Sequence, residues 1–362
     1  MIKEIVLENF RNYEEVKVSF NEELNIFCGQ NGQGKTNLLE AVYFLGMLSS
    51  FRKTDSTQMV RQGENSFSIS GHFEGADAAA LSIEKSHNGW KKICADGSNY
   101  KKKLDYIGKV RMVVFSPDEM ELIQGSPEGR RRYLDRAYFN VYHHHLRQLK
   151  IFRRILKQRN SLLKKDAFRR QEINSWSEKL AYAGARVVKG RMSMTALLNE
   201  KLDKSHPFIG RDKVSLQYMG AFNADDDYEK IEAKLLASLF KLRKEEEQRR
   251  ITLAGPHRDD IAILVNGVIA KSFSSRGEMR SVLLALKTAE TEVYRSVWGE
   301  TPLTLLDDVA SELDIERRKA LLSFLRQKGE QVLITTTEVE NIPFERSSKD
   351  SLFMVSEGKI LH

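Results

Sequence analysis

The chain has 362 residues, 41% hydrophobic and 30% charged, with 58 Lys and Arg against 50 Asp and Glu and a net charge of +8. That length and apolar content describe a soluble folded protein of one large domain or two ordinary ones, and the mild positive excess favours a polyanionic partner. Cys28 and Cys94 alone exclude a disulfide framework and a thiol-held zinc, and no stretch nears the roughly 18 apolar residues that cross a bilayer, so a cytoplasmic location with no membrane contact is expected.

From the amino end, Ile2, Ile5, Leu7 and Phe10, then Val16, Val18 and Phe20, alternate as strands, and LNIF leads a third into CGQNGQGKTN, residues 28–37. Within it Gly29, Gly34, Lys35 and Thr36 spell G-x-x-x-x-G-K-[ST]. Glycines let successive N–H groups turn inward around phosphate oxygens at a helix start, here opened by TNLLEAVYFLG. Residues Gly29, Gln30, Asn31, Gly32, Gln33, Gly34, Lys35, Thr36 and Asn37 are therefore the candidate cradle of a nucleoside triphosphate, with Lys35 on the terminal phosphates and Thr36 on Mg²⁺. FSISGHFEG, AALSIEKS and WKKICADG read as further antiparallel strands, the last two joined by a turn at Asn88-Gly89.

Residues 130–170 hold 14 Lys and Arg against Asp135 and Asp166, a net of +12 that exceeds the excess of the whole chain. Tyr142, Leu146, Leu149, Phe152 and Leu156 recur at helical spacing, which makes an amphipathic helix with a cationic outer face. Such a face is either a solvated helix surface or a footprint for phosphate backbones. The DNA candidates are Arg130, Arg131, Arg132, Arg153, Arg154, Lys157, Lys164 and Lys165. His143, His144 and His145 are consecutive, so their imidazoles point apart on a helix and do not converge on one metal ion.

The helical pattern extends over about 131–250, after which DIAILVNGVIAKSF reads as a hairpin across Asn266-Gly267, followed by a helix and the strands LTLLDD and QVLITTT. A β-rich unit, 1–130 with 251–362, is thus expected to be split by a helical insertion, 131–250. Leu303, Leu305 and Leu306 form the buried run that the glycine loop requires, ending on Asp307, placed for Mg²⁺. Asp308 follows, either as general base for the attacking water or as a loop residue. About 270 residues separate Thr36 from Asp307, far more than a compact GTPase or small kinase uses. Ser274, Ser275, Arg276, Gly277 and Glu278 begin the last long helix, where small residues form a second phosphate-binding surface.

A glycine loop, an acidic strand, this Ser-x-Gly helix start and the run Ser311, Glu312, Leu313 and Asp314 resemble the ABC-type ATPase heads shared by SMC, Rad50 and RecF proteins. The resemblance implies that Gln124 is the glutamine that senses the γ-phosphate and approaches Mg²⁺, and that Ser275 and Gly277 close the nucleotide site of a second head with Asp314 at the seam. Only about 150 residues lie between Gln124 and Ser274, without sustained heptads, and the cysteine count excludes a zinc hook. This is similar to the RecF branch, as are NFRNY, SFRKTD, AGPHRDDI and LITTT. Arg52 in SFRKTD is similar to an arginine that approaches phosphate or DNA in related heads, or is an exposed arginine after a helix. Arg276 and Glu278 replace the usual Gly and Gln of the signature, and Thr335 to Thr337 stand in the region of the usual switch histidine.

The expected fold is therefore α/β: an ABC-type P-loop ATPase head of mixed sheet plus antiparallel β lobe, with an inserted α-helical domain and no long coiled coil. The function the resemblance implies is an ATP-dependent homodimer that clamps duplex, junction or gapped DNA, with Lys35, Asp308 and Gln124 catalytic, ATP and Mg²⁺ as cofactors, and weak hydrolysis for release. RecR with RecO, and through them RecA, are the implied partners in recombinational repair. The alternative is a monomeric P-loop phosphotransferase with a helical lid. His257 to Asp260 have no assigned role.

Overall fold

The computed structural model describes all residues except 53, 55, 166–169, 203–211, 273–274, 310–312, 328, 343–346 and 362. Ser274, Ser311, Glu312 and Asp166 therefore lie outside the described residues. The chain divides into two compact units, Met1–Met120 with Arg276–His362, and Glu121–Ser275.

The first unit is a helix enclosed by two sheets. β1 (Ile2–Phe10) and β2 (Tyr13–Ser19) form a hairpin, β3 (Leu24–Cys28) leads into the glycine loop, and α1 (Lys35–Met47) follows. β4 (Ser66–Phe73), β5 (Ala80–Ser86), β6 (Gly89–Ala95) and β7 (Ser98–Asn99) extend the hairpin into an antiparallel sheet of order β2-β1-β4-β5-β6-β7. After α2 (Lys103–Tyr106) and β8 (Met112–Phe115) the chain leaves for the second unit.

The second unit is helical but not wholly so. It runs through α3 (Glu121–Gln124), α4 (Pro127–Val141), α5 (His144–Leu163), α6 (Arg170–Leu202), β9 (Val214–Met219), α7 (Tyr228–Lys241), α8 (Arg243–Arg249), β10 (Asp260–Val265) and β11 (Val268–Ile269). The chain then returns to the first unit through α9 (Arg276–Trp298), β12 (Leu303–Leu306), α10 (Ile315–Gln327), β13 (Val332–Thr336), β14 (Ser351–Ser356) and β15 (Lys359–Leu361). The second sheet has the order β15-β14-β3-β13-β12-β8, parallel throughout except for β15.

Eleven of the thirteen residues of α1 are buried, because it packs against β13 of one sheet and β1, β4 and β5 of the other. A helix covered on all sides is apolar all round, which is why VYFLGM shows no polar stripe. β3, β12 and β13 are buried at every residue for the same reason, since both faces of a parallel sheet are covered, and their apolar residues are interrupted by Asn25, Thr304, Thr335 and Thr336.

Three expectations require correction. The cationic helix begins at His144, not at Tyr142, where the backbone at φ −128 and ψ 92 separates α4 from α5. The insertion contains a strand, β9, which pairs with β10 from Ile261↔Tyr218 to Val265↔Val214. Residues 251–275 consequently belong with the second unit, whose limits are 121 and 275, because the hairpin across Asn266-Gly267 completes a three-stranded sheet there. That hairpin has φ 51 and 80 at its two turn residues, the pair of positive angles for which Asn-Gly is suited. The unit's core joins Leu149 and Phe152 of α5, Leu180 and Val187 of α6, and Ile231, Leu235 and Leu239 of α7.

Candidate nucleotide-binding site

Three adjacent parallel strands deliver the site at their carboxyl ends, where ligands collect in open α/β sheets. Ile26 of β3, Ile334 of β13 and Leu306 of β12 stand in register. One residue further, β13 presents Thr335 and the chain after β12 presents Asp307, while β3 runs on to Cys28 and into the glycine loop.

Gly29 starts the loop against β14, where a Cβ would lie 2.2 Å from the Val355 carbonyl oxygen. Gly34 ends it at φ 120, with a Cβ position 2.6 Å from Asn12 Nδ2, so neither glycine admits a side chain. Gln30, Asn31 and Gly32 form the exposed apex. The buried Lys35 ammonium donates to the Gly29 and Gln30 carbonyls at 2.6 and 2.8 Å, crossing beneath that apex. Burial pushes its pKa below the ordinary lysine value, against the pull of Asp308 and Asp307. The loop is thus shaped around a cation facing two carboxylates.

Thr36 donates its hydroxyl to Asp307 Oδ1 at 2.7 Å, across 271 residues of sequence. Thr335 donates to the same oxygen at 2.9 Å, and its own oxygen accepts the Asp308 N–H at 2.8 Å. Burial lifts the Asp307 carboxyl above the usual range, while the Thr36 and Thr335 hydroxyls, and more weakly Arg52, draw it back. Asp308 takes a left-handed backbone, φ 52, immediately after the strand. A hydroxyl and a carboxylate this close are the hard oxygen donors that Mg²⁺ prefers, so Thr36 and Asp307 fit that ion.

The β1–β2 hairpin braces the loop, a role that the letters NFRNY do not disclose. Asn12 Nδ2 donates to the Gln33 carbonyl at 2.9 Å, Asn12 Oδ1 accepts from Asn37 at 2.8 Å, and the Tyr13 hydroxyl donates to the Gly34 carbonyl at 3.0 Å. Gln33 is also held from the β14–β15 turn: its Oε1 accepts the Glu357 N–H at 2.6 Å and its carbonyl the Gly358 N–H at 3.1 Å. The Gln33 side chain is therefore committed to the fold. The fully buried Glu40 takes two bonds of 2.9 Å from Arg11 and further ones from Ser50 and Thr54. Arg52 lies 3.8 Å from Glu40 and donates to Asn37 Oδ1 at 3.0 Å, which anchors it beside the start of α1.

The remaining candidates are distributed between the units. Gln124 ends α3 in the second unit, and Ser275 is that unit's last residue. Gly277 lies in the first turn of α9, where its carbonyl accepts the Ser281 hydroxyl at 3.2 Å. Asp314 caps α10, accepting the Arg317 N–H at 2.9 Å and pairing with the Arg317 guanidinium, and these bonds hold its carboxyl below the usual range. Arg317 also donates to Ser281 at 2.7 Å, tying α10 to α9.

The basic candidates separate by environment. Arg130 grips the Asp260 carboxylate through two 2.8 Å bonds, and Arg131 donates to the Asp259 carbonyl at 2.6 Å. Both are half-buried and bonded within the second unit, unlike the exposed cations of α5. Arg132 is exposed and paired with Glu128 one turn away. Arg153, Arg154 and Lys157 stand exposed on α5, followed by exposed Lys164 and Lys165. No acidic residue occurs between His144 and Leu163, and among the described residues Arg153, Arg154 and Lys157 make no salt bridge. Arg159 of the same helix points inward, fully buried, and bonds Glu246 at 2.6 Å and Thr252 at 2.8 Å.

AGPHRDDI fastens the second unit. Asp260 holds Arg130, the Asp259 carboxylate accepts the Tyr218 hydroxyl at 2.5 Å, and the Pro256 carbonyl accepts Arg191 at 2.6 Å. His257 is bonded to the Thr252 carbonyl, and burial pushes its pKa down to about 4. Among the histidines of the triplet, His145 is buried and sits 3.0 Å from Asp135, itself gripped by Arg191. No helix among the described residues is long and apolar enough to cross a membrane.

The model of the RecF/RecN/SMC N terminal domain family matches residues 1–359. A curated DNA replication and repair protein RecF from Geotalea uraniireducens (strain Rf4) is 38% identical over 367 residues, covering 100% of both chains. A solved structure of the recombination mediator protein RecF with ATP in the RecFOR pathway superposes with a TM-score of 0.90 at 32% identity, covering 99% of this chain and 96% of that one. The Smc head domain of Pyrococcus furiosus shares the fold, with a TM-score of 0.57 at 16% identity over 99% of this chain and 95% of that one.

Proposed function

The chain belongs to the RecF family of DNA replication and repair proteins, with the ABC-type ATPase fold of the SMC heads, and from that premise we propose how it works. ATP joins two copies into a dimer that clamps duplex or junction DNA, and slow hydrolysis releases it. One observation carries the reading: Thr36 and Asp307, from opposite ends of the sequence, meet at 2.7 Å beside the Lys35 ammonium, with Asp308 next in the chain. A surface carbohydrate or peptide binder has no use for that arrangement.

Each residue then has a task. Lys35 neutralises the terminal phosphates, and the backbone of residues 29–34 with Asn37 cradles them. Thr36 and Asp307 would hold Mg²⁺, which would supply positive charge to offset that of the nucleotide's phosphates. Asp308 orients the attacking water and accepts its proton. Gln124 senses the γ-phosphate, and Ser275, Gly277 and Asp314 of each copy complete the site of the other. A ligand shared across an interface adds its binding energy only in the closed state, so ATP shifts the population toward the dimer.

The DNA is held by Arg153, Arg154, Lys157, Lys164 and Lys165, with Arg132 and Arg52 as secondary contacts. Unpaired exposed cations displace condensed counterions from phosphates without a prior ion pair to break. RecR with RecO, acting ahead of RecA on gapped DNA, are the partners this family membership suggests.

Sedimentation with a fluorescent duplex tests the proposal, with and without a non-hydrolysable ATP analogue, reading protein mass and DNA occupancy together. A nucleotide-dependent dimer that carries DNA is the expected result. A monomer that ignores DNA in both conditions overturns the clamp and leaves a monomeric phosphotransferase.

A further inference from the structure

We infer that Thr335 is a positioning residue for hydrolysis, a single buried hydroxyl that sets both the Asp307 carboxylate and the Asp308 backbone. The inference rests on the nucleotide chemistry proposed above and adds a residue to it. A hydroxyl has one proton to give and two lone pairs to receive with. At Thr335 the proton goes to Asp307 Oδ1 at 2.9 Å and a lone pair takes the Asp308 N–H at 2.8 Å. The direction of each bond is therefore fixed, because an ionised carboxylate only accepts and an N–H only donates.

Two features separate this from ordinary packing. β13 is a central strand with every residue buried, where a polar side chain is costly unless it is bonded. Its neighbour Thr336, directed to the opposite face by the strand's alternation, bonds instead to the Glu338 carbonyl at 2.9 Å and closes the following turn. Of two adjacent buried threonines, one serves the strand end and the other serves the acid pair. Asp308 in turn sits at φ 52, a left-handed conformation disfavoured for a residue with a Cβ, and the Thr335 oxygen is the partner of its N–H. Thr36, in the first turn of α1 after the glycine loop, and Thr335 on β13 address the same Asp307 oxygen, which locks the carboxylate's rotation.

Thr335→Val keeps the shape and removes the hydroxyl, and Thr335→Ser keeps the hydroxyl. Three readouts are compared in the full-length chain: phosphate release, ATP affinity with and without Mg²⁺, and the thermal shift given by ATP as Mg²⁺ is titrated. Supporting residues of this kind are worth about 10–100-fold, so Thr335→Val is expected to lose that factor in kcat and to need more Mg²⁺ for half of the thermal shift, with Mg²⁺-free ATP affinity nearly unchanged. Thr335→Ser is expected to retain most of the rate. A Thr335→Val protein with wild-type kcat and Mg²⁺ titration overturns the inference, as does a serine variant as impaired as the valine one. If the valine variant does not fold, Thr335→Cys replaces it, because a thiol of similar size is a weak donor and is expected to show the same losses; a wild-type rate there also overturns the inference. Asp308→Asn is assayed in parallel. If it hydrolyses ATP normally, the proposed chemistry itself fails, whereas an inactive Asp308→Asn beside a normal Thr335→Val removes only the role of Thr335.

Discussion

Around the glycine loop, charges are buried and held: Glu40 by Arg11, Asp307 by two hydroxyls, Lys35 by two carbonyls. On α5 the outward cations Arg153, Arg154 and Lys157 are exposed and, among the described residues, make no salt bridge. Chemistry on a phosphate needs groups fixed to within a fraction of an ångström, which burial and bonding supply. Attachment to a polyanion needs number rather than position, and flexible exposed cations supply that. Arg159 shows both regimes on one helix, since its inward side chain is bound to Glu246 while its neighbours face water.

The largest effect is expected where the held groups do chemistry. Asp308→Asn should lower steady-state phosphate release by about 10²–10⁴-fold while nucleotide binding survives. If binding is lost as well, Asp308 belongs to the cradle and the comparison loses its catalytic half. Next comes the buried pair of α5. Glu246→Gln leaves Arg159 without its charge partner in the interior, and a urea midpoint should report a loss of about 3–5 kcal/mol. A loss below 1 kcal/mol would falsify the claim that the inward face of α5 is a fixed structural element.

A pH measurement sharpens the contrast further. Burial holds the half-buried His257 near a pKa of about 4, against an ordinary 6.5, so its proton binds the unfolded chain more readily than the folded one. The stability this confers is complete above pH 6.5 and is lost as pH falls toward 4, by about 2 kcal/mol once partial exposure is allowed for. His257→Gln should flatten that acid limb in a denaturation series. Replacing Arg153, Arg154 and Lys157 together with Gln should leave Tm alone. It should lower duplex affinity regardless of sequence and reduce the log-log salt slope by about 3. An unchanged slope moves the DNA surface elsewhere. Arg132→Gln, which breaks an exposed pair with Glu128, should change stability by no more than about 0.5 kcal/mol.

Local strings carried much of this molecule. The glycine loop, the LTLLDD strand, the Asn266-Gly267 hairpin and the cationic helix each depend on neighbours a few residues apart, and periodicity or turn chemistry exposes them. Other features depend on residues that meet only after folding. β9 has its partner β10 some forty positions away and sits among helices, so its VSLQYM pattern was hidden. The bracing of Gln33 by Glu357 spans 324 residues, and that of Glu40 by Arg11 spans 29. For Arg130 and Arg131, charge is visible in a sequence, but the Asp260 carboxylate and the Asp259 carbonyl that they bond are not.

A nucleotide-binding loop, an acidic strand and one strongly basic helix follow from the order of residues alone, because glycine geometry, hydrophobic runs and charge are local properties. Which arginines remain available, which threonine addresses the acid pair, and which hairpin supports the loop are decided by strand order. Placing β13 between β3 and β12 puts Thr335 beside Asp307, and no pattern within any one segment specifies that adjacency.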